Sequence, residues 1–109
     1  MCRSLKVLCV ADDRDALVAL KLAAVSAEWE LAPGATSEEE ALSQLEVQRP
    51  HVMVVFGRFA GLIRRARESF PGLRIVSDRD APGADRVAAS LEEVRGAVKD
   101  VPRPGGPVR

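Results

Sequence analysis

Two pairs of carboxylates stand out by position: Asp12 and Asp13 follow the apolar run 5–10, and Asp78 and Asp80 follow the run 73–76. Hard cations are held by oxygen ligands gathered from several loops, so these four side chains are weak candidate metal ligands if both loops converge. The plainer reading gives Asp12 and Asp13 to helix capping and the second pair to a solvated loop. Asp12, Asp13 and Asp15 precede a helical stretch at 16–27, where carboxylates suit the positive end. That reading is the expectation, with no metal assigned. Ser90 has no evident general base, since the chain has one histidine, and it opens a capping box. His51 follows Pro50 at the start of a strand and reads as a surface residue rather than a catalyst. Cys9 lies within an apolar run as a buried thiol, and Cys2 is near the terminus. Arg58, Arg64, Arg65 and Arg67 form the densest basic group, read as a solvated helix face with an Arg64–Glu68 pair.

These residues need positions, and the apolar pattern supplies them. Three short runs rich in β-branched residues, at 5–10, 52–56 and 73–76, read as strands buried on both faces. A fourth run falls at 86–89. A fifth, at 29–32, is followed by Pro33 and belongs at a sheet edge. Helices lie between them. Ser37 and Glu40 form a capping box ahead of Ala41, Leu42 and Leu45, and that helix ends before Pro50. Phe59, Leu62, Ile63, Ala66 and Phe70 recur at helical spacing. A second box, Ser90 with Glu93, opens a last helix with Leu91, Val94, Ala97 and Val98 facing inward. Strands alternating with helices require a parallel sheet covered on both faces. The expected division is a domain over 1–101 and a flexible Pro/Gly-rich tail over 102–109.

Composition bounds the function. The chain has 109 residues, 47% hydrophobic and 29% charged, with a net charge of zero. A balanced chain offers no long-range field for nucleic acid or acidic membranes, so neither is expected as a partner. No apolar run approaches the ~20 residues of a membrane span, and no signal-peptide pattern opens the chain, so the expected location is the cytoplasm.

Over roughly residues 5–101 the chain resembles the receiver (CheY-like) domain of bacterial response regulators. The likeness rests on KVLCVADD at 6–13, on Ala35, Thr36 and Ser37 with Glu40, Ala41 and Leu42, on RPHVMVVF at 49–56, and on Gly83, Ala84 and Asp85 before 86–90. It implies an α/β, flavodoxin-like, doubly wound sheet of five parallel strands in the order 2-1-3-4-5. It also implies a phosphorylation site, which this sequence does not complete. Phe56 stands at the phosphate-accepting position, and Ala11 takes the first place of the usual acidic pair, leaving Asp12. Ser90 stands where a lysine is usual, and Ser77 is aligned with the usual hydroxyl. The resemblance therefore implies an atypical receiver lacking its phosphoacceptor, with Ala11, Asp12, Phe56, Ser77 and Ser90 as degenerate site positions and with no catalytic residue or cofactor. The connection from Phe56 to the third helix is short. Only six residues separate Val76 from Gly83, so the usual fourth helix is shortened or absent and sheet surface near the last two strands is less covered.

The expected function is a phosphorylation-independent interaction module in bacterial signal transduction, docking to a protein partner or to itself as a homodimer. The first alternative is a small-anion or nucleotide-binding domain at the carboxyl edge, built from the loops around Asp12, Gly57, Arg58, Ser77, Asp78 and Arg79. A further alternative is a weakly active receiver with a degenerate acidic site. An enzyme is not expected.

Overall fold

The computed structural model describes residues 5–26, 29–79 and 84–100. Ten elements follow in chain order: β1 (Leu5–Ala11), α1 (Arg14–Ala24), β2 (Trp29–Leu31), α2 (Glu38–Gln48), β3 (Val52–Phe56), α3 (Ala60–Ser69), β4 (Arg74–Ser77), β5 (Arg86–Val87), a 3-10 turn (Leu91–Glu93) and α4 (Val94–Asp100). The strands form one parallel sheet in the order β2-β1-β3-β4-β5. The expected topology holds, with β2 at an edge as Pro33 requires.

Alternation along the strands divides the core. Val7, Cys9, Val52, Val54 and Val76 face α1 and α4, while Leu8, Val10, Met53, Val55 and Ile75 face α2 and α3. Strands covered on both sides are apolar at every position, which is why these runs read as continuous rather than alternating.

The caps are partly those expected. Asp13 caps α1, its Oδ1 accepting from the Ala16 N–H at 2.8 Å. Ser37 Oγ accepts from the Glu40 N–H at 3.2 Å, but Glu40 reaches back to the Thr36 N–H at 2.9 Å rather than to Ser37. The second box does not form as expected. Glu93 accepts from the Ala89 N–H at 3.0 Å, whereas Ser90 makes no side-chain cap bond. A 3-10 turn consequently precedes α4, and Leu91 is exposed rather than inward, while Val94, Ala97 and Val98 are buried. Helix α1 ends at Ala24, short of the expected 27, and the Trp29 indole N–H donates to the Ala24 carbonyl at 2.7 Å. A bond of this kind satisfies one of the carbonyls a helix end leaves open.

Between β4 and β5 no helix occurs among the described residues. The exposure expected there is confined to one strand. Ile75 and Ser77 of β4 are buried, and Val87 of β5 is 44% exposed. At the start of these strands Arg67 of α3 donates to the Leu73 carbonyl at 2.9 Å and to Asp85 at 2.6 Å. Residues 102–109, Cys2, Asp80 and Gly83 lie outside the described residues.

Candidate functional site at the carboxyl edge of the sheet

Strand register places the tips of β1 and β3 side by side, with Ala11 opposite Phe56. On the other side of β3, Val55 is opposite Ser77, and Ser77 is opposite Val87. This edge is where open α/β sheets receive ligands. The Phe56 ring shares its face with Val52 and Val54 and packs, half-buried, on the cluster that contains Ala11, Ala88 and Leu20. Ala11, opposite it on β1, and Ala88, just past the end of β5, are both small residues beside the ring.

Asp12 is exposed and lies against the backbone of Gly57. A Cβ on Gly57 would fall 2.4–2.7 Å from the Asp12 carboxylate, and Gly57 has a φ of +128°. Only glycine accepts both the conformation and the approach. Asp13 is engaged in capping α1. Asp78 forms a two-point pair with Arg79, Nε to Oδ1 and Nη2 to Oδ2, each at 3.0 Å. The hydrogen bond to Asp78 and then its charge raise the Arg79 pKa, with Asp12 adding a smaller pull. Asp12 and Asp78 thus share the field of one guanidinium. Among the described residues no group of three His, Cys, Asp or Glu side chains is placed to hold a metal ion.

Ser77 is buried beside them, its Oγ accepting from the Arg79 N–H at 3.3 Å. Ladder pairing ends at Val87, so Ser90 stands three residues beyond the paired end of β5 and opens the 3-10 turn. His51 is at the opposite edge and is not a free surface group. Its Nδ1 accepts from the Lys6 N–H at 3.0 Å, and its own N–H donates to the Lys6 carbonyl at 2.8 Å. The difference from expectation has a simple cause: β1 begins next to it and leaves an amide to satisfy. Cys9 is mid-strand and buried, its thiol pushed up to about 12 by burial.

The basic group also divides. Arg65, rather than Arg64, finds a carboxylate, on Glu38 of α2 at 3.2 Å, and Arg67 turns to Asp85. Arg58 and Arg79 instead line a pocket of about 550 Å³ between the β3–α3 loop and β4, with Gly57, Phe59, Ile63 and Ser77 among its walls. The roles of Phe59 and Ile63 as walls, and of Asp85 as a tie, are absent from the sequence reading. Helical spacing marks an apolar face but not where that face runs past the end of a strand.

A scan of protein-family profiles finds no match, and a search of the curated proteins finds none. Solved structures do match. A response regulator receiver protein from Pseudomonas putida is 25% identical with a TM-score of 0.75, over 91% of this chain and 98% of that one. A CheY-like receiver domain protein from Methanospirillum hungatei is 17% identical with a TM-score of 0.73, over 90% of this chain and 93% of that one. A response regulator from Thermotoga maritima is 23% identical with a TM-score of 0.69, over 89% and 96%. The fold of this chain is the CheY-like receiver fold.

Proposed function

We propose that this receiver-fold chain is a phosphorylation-independent interaction module of bacterial signal transduction, acting through a protein partner. One observation carries the reading: Ala11 and Phe56 are in register at the strand tips where a phosphoryl acceptor and its acidic neighbour would have to stand. A phenyl ring has no nucleophilic atom, and a methyl group ligates nothing. Asp12 remains, and a lone carboxylate beside a guanidinium is a poor cradle for Mg²⁺.

An exposed apolar stripe on α1 supports the docking half of the reading. Val18 is 52% exposed, Leu22 is 69% exposed and Val25, at the helix C-cap, is 52% exposed. Their spacing of four and then three residues puts them along one side of the helix, the pattern by which helical surfaces anchor to partners.

Acetyl phosphate, and separately beryllofluoride, each with Mg²⁺, test the first half. The expected result is no added phosphoryl mass and no change in the amide NMR spectrum that depends on Mg²⁺. Added phosphoryl mass, or a saturable change at Asp12 and Phe56 that requires Mg²⁺, would overturn it. Sedimentation velocity across a range of concentrations then separates self-association from an external partner.

A further inference from the structure

The pocket beside the β3–α3 loop has no part in the interaction reading. We propose that it binds a small organic anion, with the charged head held by Arg58 and Arg79 and an apolar body resting on Phe59. The proposal is independent of docking through α1.

It is a half-open cleft of about 550 Å³. Two guanidinium groups and no carboxylate are among its walls. Arginine presents a planar fork of N–H donors that matches carboxylate or phosphate oxygens. Arg79 is already oriented, because Asp78 holds its Nε and Nη2 and leaves the Nη1 edge of the fork outside the pair. Arg58 is exposed and enters no ion pair among the described residues. Ser77 lines the same space, and a hydroxyl that accepts from the Arg79 N–H still has its own O–H to donate. The first turn of α3 opens on the pocket through Ala60 and Gly61, adding the positive end of its backbone dipoles.

The surroundings narrow the ligand. Asp12 lies against Gly57, Asp78 is paired with Arg79, and Glu38 approaches Gly61 from α2 while pairing with Arg65. Three carboxylates just outside the walls repel a polyanion, and the apolar walls offer a long phosphate chain nothing. A compact carboxylate or phosphate head on an apolar body fits both.

Phenyl phosphate is the probe, followed by amide NMR titration of the whole chain. Inorganic phosphate and phenol serve as head-only and body-only arms, and benzoate distinguishes a carboxylate head from a phosphate one. Saturable shifts confined to 57–61 and 77–79 are expected, with inorganic phosphate and phenol each at least tenfold weaker. Arg58→Gln and Arg79→Gln should each weaken phenyl phosphate about tenfold, the usual worth of a charge-assisted contact. Arg64→Gln, exposed on α3, should leave affinity unchanged. Both working substitutions are at exposed positions, and the amide spectrum away from the pocket reports that the fold is intact. No saturable shift with either phenyl phosphate or benzoate, or equal affinity in the Arg58→Gln/Arg79→Gln double variant, overturns the site. Equal affinity for inorganic phosphate and phenyl phosphate overturns the apolar half of it.

Discussion

Arg67 of α3 and Asp85, just ahead of β5, meet at 2.6 Å, and the same Asp85 oxygen accepts the Ile75 N–H of β4 at 2.9 Å. One carboxylate therefore joins a helix to the strand beneath it, while the Asp85 N–H returns to the Ile75 carbonyl at 2.8 Å. The tie lies where no helix separates β4 from β5 among the described residues, and Arg74 approaches the other oxygen at 4.0 Å.

Asp85→Ala should cost about 1–3 kcal/mol, the usual penalty for leaving partly buried donors without their acceptor. Asp85→Asn, which keeps one acceptor oxygen, should lose less. Urea unfolding followed by circular dichroism measures both, and equal stability of Asp85→Ala and the parent chain would show that water replaces the carboxylate at no cost.

Gly57→Ala should destabilise by more than about 1 kcal/mol, because the backbone is in a region closed to side chains and the new Cβ meets Asp12. Combining it with Asp12→Ala removes the collision but not the backbone strain. The double variant should therefore recover part of the loss, and a double-mutant cycle measures how much.

Cys9 makes stability depend on alkaline pH. Its folded pKa, about 12, is raised above the ordinary 9.0, so the unfolded chain gives up this proton first. The contribution is fully present below pH 9.0 and is lost as the pH climbs toward 12. Its limiting slope is about 1.4 kcal/mol per pH unit. Denaturation at pH 8 and pH 10 should show a steeper fall for the parent than for Cys9→Ala. In a Cys2→Ser background, Cys9 should react with a thiol reagent only after unfolding.

Phe56→Ala should cost about 1–3 kcal/mol, less than a fully buried ring because Phe56 is half-buried. Phe56→Asp should cost at least as much, since a carboxylate then faces the apolar cluster of Ala11 and Ala88. It should remain unphosphorylated by acetyl phosphate, because Ala11 still supplies no ligand for Mg²⁺. Thermal unfolding and intact mass check the two halves separately.

Much of the framework could be read from local pattern. Val52–Phe56 is the strand expected, and β1 differs from its expected run only by including Ala11. Ser37 and Asp13 cap the helices they precede. Such features depend on neighbours a few positions apart, and sequence displays those directly. Ser90 makes no cap bond although its backbone angles (φ −142°, ψ 166°) nearly match those of Ser37 (φ −146°, ψ 163°), so neither residue type nor the angles at that one residue fix the bond.

Sequence by itself determined the alternation of strands and helices, the parallel pairing this requires and the aromatic residue at 56, because apolar period and residue identity are local properties of the chain, while the strand order came from the resemblance to receiver domains. Tertiary structure alone decided that Phe56 faces the α1 and α4 side, that Arg67 reaches Asp85, and that Arg58 and Arg79 share one pocket. Those pairings span long stretches of chain, and their distances follow from how the sheet twists and the helices pack.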